Sequence, residues 1–303
     1  MPEFLMTEST KKPDIRIGAC VEATRAPFEE IEQLVSIGVE SLAITFWGSI
    51  EEIDLKCFRD RVFKLIEGKG IEISALTLFG NPLEEGEEGN AALADWRQLI
   101  DAAEDFSCPL ITGFTGGLPG KPVPENMPRL KEVFSPLLES AGERGLKLAF
   151  ENCVMGSTWK SAGRNLAFCP EAFELIFETL PYANLGLEWE PAHLIKQMIN
   201  PIENLINWAP KIFHYHGKDG QLRREVLRQT GTLGSNPWFW QRFPGYGDTD
   251  WSRIISEARN VGFSGAINIE GHHDPIFCNE LEMAGMAGAL GYLRQCRGGK
   301  TSS

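Results

Sequence analysis

The sequence predicts an α/β fold, a single (β/α)8 barrel of the TIM type, on three observations. Eight strand-like apolar runs alternate with helical stretches, and this alternation requires a parallel sheet with helical crossovers. The chain has 303 residues, 43% of them hydrophobic, which suits one barrel of about 250 residues with additions. No GxGxxG motif follows the first run, which counts against a dinucleotide-binding fold.

Each predicted element rests on local signals. Pro170 and Pro201 stand in the first turn of a helix with an acid close behind, which suits the helix dipole. Gly145 and Gly262 stand where helices should end. The predicted strands are 15–19, 41–45, 71–76, 110–113, 146–151, 184–190, 211–216 and 265–270. The predicted helices lie near 28–37, 56–69, 91–106, 125–144, 171–180, 201–208, 250–261 and 279–296.

The barrel is assigned to residues 13–297. Residues 1–12 are expected to be a tag-like or disordered N-terminus, and residues 298–303 a flexible C-terminus. The segment 221–247, rich in Arg, Trp, Gly and Pro, interrupts the alternation between the seventh and eighth strands. A long loop at the carboxyl rim of a barrel is often functional. A surface or oligomer contact is the other interpretation, and the sequence leaves both open.

The charge, the length of the apolar runs and the cysteines count against nucleic-acid-binding, membrane and disulfide-bonded proteins. The formal net charge of −13 disfavours binding to nucleic acid or to anionic membranes. No apolar run approaches the roughly 18 residues of a membrane span, and the first residues lack the apolar core of a signal peptide. The seven cysteines are odd in number and form no CxxC pair, which favours reduced thiols. We therefore expect a cytoplasmic protein.

Five strand-like runs end in residues that can hold a metal. Side chains alternate along a strand, so His214 and His216 share one face, as do Glu188 and Glu190. Successive barrel strands end at one rim, where buried acids are costly unless they are paired or bind a metal. The segments are Leu148-Ala149-Phe150-Glu151-Asn152, Leu187-Glu188-Trp189-Glu190-Pro191-Ala192-His193, Ile212-Phe213-His214-Tyr215-His216-Gly217-Lys218-Asp219, Pro244-Gly245-Tyr246-Gly247-Asp248 and Ile267-Asn268-Ile269-Glu270-Gly271-His272-His273-Asp274.

These segments together resemble the xylose-isomerase-like barrel superfamily. The resemblance is to its sugar (phosphate) isomerase/epimerase branch, related to ketose 3-epimerases and inosose dehydratases. It covers about residues 14–296 and is strongest from Leu148 onward. The matching stretches are Phe150-Glu151-Asn152, Asn184 to Leu194, Phe213 to Asp219, Pro244 to Trp251 and Ile269 to His272.

The resemblance implies one divalent metal held by Glu151, Glu190, His216 and Glu270. The oxygen and imidazole ligands suit Mn²⁺, which we expect first, with Mg²⁺, Co²⁺ or Zn²⁺ as alternatives. The family usually has Asp where Glu190 stands, which leaves Glu188, on the same face, as a substitute ligand.

The resemblance also assigns His193 and Lys218 to substrate binding, and His214 and Trp47, a candidate wall for a sugar ring, are further candidates. A place behind the metal ligands suits His214 better than a place among them, because one imidazole completes the family set. Asp219 would orient a ligand or cap a loop. His193 as a helix-start histidine and Trp47 as a core residue are the structural alternatives.

The activity implied is a metal-dependent sugar isomerase or epimerase that acts through an enediolate on a keto sugar or derivative. Glu151 and Glu270 would be the catalytic acid and base. The same intermediate also serves a lyase or dehydratase acting on an inosose or a 3-keto glycoside, and a non-catalytic sugar-binding barrel is a third possibility. The expected partners are a small-molecule sugar and further copies of the chain in a dimer or tetramer.

Overall fold

A computed structural model describes residues 14–298. The predicted N-terminal tail 1–12 lies outside the described residues, as does the predicted C-terminal tail apart from Gly298. Eight parallel strands close into a barrel, which confirms the predicted fold class. In chain order they are β1 (Arg16–Glu22), β2 (Ser41–Trp47), β3 (Glu72–Phe79), β4 (Leu110–Gly113), β5 (Lys147–Glu151), β6 (Leu185–Trp189), β7 (Ile212–Gly217) and, after the two strands of a hairpin, β10 (Ala266–Ile269).

Neighbouring barrel strands are paired in chain order, and β10 closes the ring against β1 and β7. The register places Glu151 beside Glu188, Glu188 beside His214, and His216 beside Asn268. This register decides which polar side chains meet inside the barrel, because adjacent residues on paired strands point to the same side.

Ten α-helices are present in residues 14–298. Within that range, no helix has both the length and the apolar character needed to cross a membrane. The helices are α1 (Pro27–Ile37), α2 (Leu55–Ile66), α3 (Glu87–Ala102), α4 (Val123–Glu143), α5 (Pro170–Thr179), α6 (Pro191–Lys196), α7 (Pro201–Trp208), α8 (Arg224–Thr230), α9 (Trp251–Asn260) and α10 (Glu282–Arg297).

Several predicted helix ends are confirmed. The Asn200 side chain accepts hydrogen bonds from the backbone N–H groups of Ile202 and Glu203, and so caps α7 in front of Pro201. Gly145 and Gly262 adopt positive φ values of 71° and 81° just after α4 and α9, the conformation that commonly follows a helix end.

The predicted alternation of eight strands with eight helices is incomplete. The short helix α6 follows β6 at once, because Pro191 begins a helix directly after Glu190. The segment 221–247 contains α8 and β9 (Phe239–Arg242), and β9 pairs antiparallel with β8 (Asp219–Leu222). Strand β9 could not be predicted, because its sequence, with Trp and Arg, shows no alternation of apolar and polar residues. The predicted helix near 91–106 is instead α3, which begins earlier, where Glu87 and Glu88 favour the start of a helix.

Candidate metal centre and active site

Four side chains from four strand ends meet at the carboxyl end of the barrel. Glu151 ends β5, Glu190 is the residue between β6 and α6, His216 lies near the end of β7, and Glu270 follows β10. One ligand-type atom from each of these side chains lies within 4.8 Å of the others. We call these four residues the carboxylate–histidine cluster.

His216 directs one ring nitrogen at all three carboxylates of this cluster. Its Nδ1 lies 3.0 Å from Glu151 Oε1, 3.3 Å from Glu270 Oε2 and 3.9 Å from Glu190 Oε2. Separations of this size are those of donor atoms grouped around one small cation, since bonds to Zn²⁺, for example, measure about 2.0–2.2 Å.

The cluster fits a divalent cation by the chemistry of its donors. Both carboxylate oxygens of Glu190 and Oε2 of Glu270 are buried without a hydrogen-bond partner among residues 14–298. Burying acceptors without partners is costly, and a bound cation would satisfy them. Carboxylate oxygens with one imidazole suit Mn²⁺, Mg²⁺, Co²⁺ or Zn²⁺. That these four residues bind a metal stays a prediction.

Lys218 gives the cluster its one close ammonium group within the described part of the chain. Its Nζ lies 2.6 Å from Glu270 Oε1 and 3.9 Å from Glu190 Oε2. Burial alone would lower the pKa of Lys218, but these carboxylates raise it above its ordinary value. Lys218 is therefore a buried cation that holds Glu270.

The three carboxylates of the cluster titrate differently. Burial raises the pKa of Glu151, and it raises the pKa of Glu190 well above its ordinary value, with help from the nearby Glu270 and Glu151. Burial also acts on Glu270, but the ion pair with Lys218 outweighs it and lowers the pKa. In the cation-free protein, Glu270 is therefore the carboxylate most strongly held in its ionised form.

His193 approaches the cluster from helix α6. Its Nε2 lies 3.3 Å from Glu190 Oε1, and its buried Nδ1 has no hydrogen-bond partner among the described residues. Burial, with Lys218 nearby, lowers the pKa of His193 to about 3. His193 is thus a neutral imidazole at neutral pH, and it lies beside the cluster with a nitrogen still open for a hydrogen bond.

Glu188 belongs to a separate group behind His216. Its Oε1 lies 2.8 Å from His214 Nδ1 and 3.0 Å from His216 Nε2. Burial raises the pKa of Glu188, but the two imidazoles outweigh burial and lower it to about 2. The structure therefore places Glu190 with the cluster, and Glu188 on the other side of the His216 ring.

A cavity of about 420 Å³ opens onto Glu270 at the end of the barrel. Trp47 lies on the wall of this cavity next to Phe79, with 4.4 Å between their ring centroids. The ring centroid of His272 lies 6.5 Å from that of Trp47. Glu22, Glu29, Glu30 and Glu282 also line the cavity, with one arginine, Arg25.

The family assignment follows from comparison with known proteins. The model of the xylose isomerase-like TIM barrel family matches residues 31–296. The chain belongs to this family.

Similar proteins include one curated relative and several solved structures. The uncharacterized protein YfiH of Bacillus subtilis (strain 168) is 23% identical over an alignment 282 residues long. The match covers 80% of this chain and 88% of YfiH. A D-psicose 3-epimerase structure has a TM-score of 0.67 at 16% identity, covering 94% of this chain and 100% of its own. The probable 3-DHS dehydratase AsbF of Bacillus anthracis has a TM-score of 0.65 at 14% identity, covering 91% and 98%.

Some candidates of this xylose isomerase-like barrel lie apart from the cluster. Asp248 ends one of the five strand-end segments, but its carboxylate accepts from Leu222 N and pairs with Arg224 at 3.0 Å. It follows the antiparallel strand β9, so its position is not set by the parallel barrel. Arg223 packs over the Trp240 ring, so both arginines are engaged within the hairpin region.

Asp219 caps the chain that follows β9. Its buried carboxylate accepts hydrogen bonds from the backbone N–H groups of Gly245, Gly247 and Thr249 and from Trp251 Nε1, at 3.0–3.3 Å. Of the two roles considered for this residue, the structure places it in the loop-capping one.

Sequence reasoning missed three asparagines that hold the site. Asn152 and the Glu190 backbone exchange hydrogen bonds of 2.5 and 2.8 Å, and Asn165 Nδ2 donates to Glu151 O. Asn268 Oδ1 lies 2.9 Å from His214 Nε2. Asn268 could have been found, because it lies two residues before Glu270 and so on the same side of its strand. Asn165 carries no comparable signal, since it lies in a loop.

Proposed function

We propose that this chain is a divalent-metal-dependent isomerase or epimerase that acts through an enediolate on a keto sugar or a close derivative. The observation that supports the proposal most is the convergence of Glu151, Glu190, His216 and Glu270 at the carboxyl end of the barrel. Active sites of (β/α)8 enzymes lie at that end. The similar folds of an epimerase and a dehydratase support enzymatic chemistry of this kind.

The proposed chemistry is proton transfer at a carbon next to a carbonyl. When bound, a divalent cation would polarise the carbonyl oxygen and favour removal of the neighbouring proton. Glu270, which Lys218 keeps ionised at a distance of 2.6 Å, can accept a proton, while the same ion pair lowers its pKa and so its strength as a base. Glu151, whose Oε1 lies 3.0 Å from His216 Nδ1 and whose pKa burial raises, suits the role of acid.

The fate of the enediolate separates the possible reactions. Return of the proton to the opposite face of the same carbon gives an epimer, and return to the neighbouring carbon gives an aldose–ketose isomer. Loss of a β-substituent gives dehydration or cleavage of a 3-keto glycoside: the base keeps the proton it removed, and the acid protonates the oxygen that departs as water or an alcohol. In each case His193, which lies beside Glu190, is the residue we assign to a hydrogen bond with a substrate oxygen.

The charge of the cavity favours an uncharged, hydroxyl-rich substrate. Five glutamates, with Glu270 among them, and one arginine line it, and Arg25 Nε lies 3.3 Å from Glu22 Oε2. A phosphate group would meet net repulsion there, since like charges in a partly buried site interact more strongly than in water. Trp47 and Phe79 offer apolar faces to the C–H side of a sugar ring.

The test is a substrate screen in heavy water. The protein is loaded with Mn²⁺ and incubated with ketohexoses, inososes and 3-keto glycosides, each also offered as a phosphate ester where one exists. We expect turnover of a neutral compound with deuterium at the carbon next to its carbonyl. Absence of turnover across the panel, or turnover that persists after chelation of all metal, would refute the proposal. A dehydrated product would assign the lyase branch.

A further inference from the structure

We propose that Glu188, His214 and Asn268 are positioning residues that hold the His216 ring with Nδ1 toward the carboxylate–histidine cluster. We call these three residues the buried polar chain. The inference rests on the proposed function, because it gives His216 the role of a metal ligand. It assigns a task to three polar side chains that lie inside the barrel and away from the cavity.

The two nitrogens of His216 face opposite partners. Nδ1 lies 3.0 Å from Glu151 Oε1, and Nε2 lies 3.0 Å from Glu188 Oε1. Of the two contacts, only the one between Nδ1 and Glu151 is aligned as a hydrogen bond. With a cation bound at Nδ1, the proton of the ring would be on Nε2, where Glu188 is the carboxylate that faces it.

The hydrogen bonds of Asn268, at one end of the buried polar chain, determine which atoms donate and which accept along it. Asn268 Nδ2 donates to the backbone oxygen of Ala19 at 3.0 Å, so its Oδ1 must accept. Oδ1 accepts from Ser74 Oγ and lies 2.9 Å from His214 Nε2. His214 Nε2 is therefore the donor to Asn268, and His214 Nδ1 lies 2.8 Å from Glu188 Oε1. Strands β1, β3, β6, β7 and β10 all contribute to this arrangement.

Glu188 places a buried negative charge beside two imidazoles. Its side chain is fully buried, and Oε2 has no hydrogen-bond partner among residues 14–298. Leaving that oxygen without a partner is costly, and the contacts of Oε1 with His214 and His216 offset the cost. Glu188→Gln keeps the volume of the side chain and removes the charge beside His216 Nε2, so it tests what that charge does.

The experiment measures metal binding and stability in the same variants. Mn²⁺ is titrated calorimetrically into the metal-stripped full chain, as wild type, Glu188→Gln and His214→Phe. Thr112→Val is the matched control, because Thr112 Oγ1 lies 2.6 Å from Thr77 Oγ1 in an equally buried polar pair in the barrel. Thermal unfolding of each metal-free protein is recorded alongside.

We expect Glu188→Gln and His214→Phe to bind Mn²⁺ about 10–100-fold more weakly, the range for partners that orient a ligating histidine. Metal-free Glu188→Gln should unfold at or somewhat below the wild-type temperature, because it breaks one side of a buried ion pair, and Thr112→Val should bind Mn²⁺ within about twofold of wild type. Wild-type Mn²⁺ affinity in Glu188→Gln would overturn the inference. A Thr112→Val defect as large as that of Glu188→Gln would also overturn it.

A second readout needs no variant. With ¹⁵N-labelled histidine and diamagnetic Zn²⁺, the His216 ring should show a metal-bound Nδ1 and a protonated Nε2. Binding through Nε2 would overturn the inference. If wild type binds neither Mn²⁺ nor Zn²⁺, the proposed function fails and the inference with it. If wild type binds metal and Glu188→Gln binds it equally well, only the inference fails.

Discussion

Lys218 Nζ lies 2.6 Å from Glu270 Oε1, an ion pair buried at the carboxyl end of the barrel. The same ammonium is 3.9 Å from Glu190 Oε2, so it faces two members of the carboxylate–histidine cluster. A fixed positive charge at this place favours the ionised form of Glu270 and repels a dication. In the proposed mechanism, Lys218 would therefore keep Glu270 ionised for proton transfer at some expense to metal affinity.

Replacing Lys218 should separate these two effects. We expect Lys218→Met to lower kcat by about 10²–10³-fold, the loss seen when one preorganised electrostatic group is removed from an active site. Its Mn²⁺ affinity should equal or exceed that of wild type, because the ammonium that repels the ion is gone. Steady-state kinetics and calorimetry measure the two quantities. A fall in Mn²⁺ affinity as large as that in Glu190→Ala would contradict this role.

Glu190 and Glu188 should differ in what they contribute to metal binding. Glu190 Oε2 lies in the cluster, whereas Glu188 reaches His216 only from behind, at Nε2. Glu190→Ala should therefore lower Mn²⁺ affinity by more than the roughly 10–100-fold expected for an outer partner, and Glu188→Ala by no more than that. Calorimetric titration of both variants decides the ranking, and the reverse order would make Glu188 the ligand.

The fold was predictable because each barrel strand has a short apolar sequence of its own. Runs such as Ser41–Trp47 are buried almost throughout, which gives them a continuous apolar sequence, and the helices between them are amphipathic. The hairpin of β8 and β9 was not predictable. Its sequence mixes aromatic residues such as Trp238 and Trp240 with charged residues such as Arg223, and this composition without apolar alternation is also that of a loop.

The cluster was predictable for a similar reason, and its surroundings were not. Residues at the ends of parallel strands share one rim, so Glu151, His216 and Glu270 could be grouped by position along the chain. The contact of His214 with Asn268 depends on the stagger between β7 and β10, which places His216, not His214, beside Asn268. No local pattern in the sequence encodes that stagger.

Glu30 on α1 should make stability depend on pH near neutrality. Burial, with Glu282 and Glu22 nearby, raises the pKa of Glu30 from 4.5 to about 7. Between these values the folded chain holds more protons than the unfolded chain, so stability falls as pH rises through this window and stays lower above it. Allowing for its partial exposure, Glu30→Gln should raise the free energy of unfolding by about 1–2 kcal/mol at pH 8.

Well below pH 4.5, at about pH 3, the same variant should match wild type, because Glu30 is then protonated in both states. Denaturant unfolding at about pH 3 and about pH 8 measures the difference. Glu32→Gln, at an exposed position of the same helix, is the matched control. An equal gain from Glu32→Gln at pH 8 would assign the effect to overall charge, since the chain carries −13.

Glu151 and Glu270 should act as one unit in proton transfer. Both carboxylates lie within 3.3 Å of the same atom, His216 Nδ1. Loss of either one should stop a shared relay, so the effects of Glu151→Gln and Glu270→Gln on kcat should not add. The double variant should be no slower than the slower single variant by more than a few-fold.

Deuterium uptake from heavy water into product and recovered substrate, followed in all three variants, measures the step directly. Product without label from an active enzyme would instead indicate hydride transfer or return of the same proton. Full activity in either single variant would remove that residue from the acid–base pair.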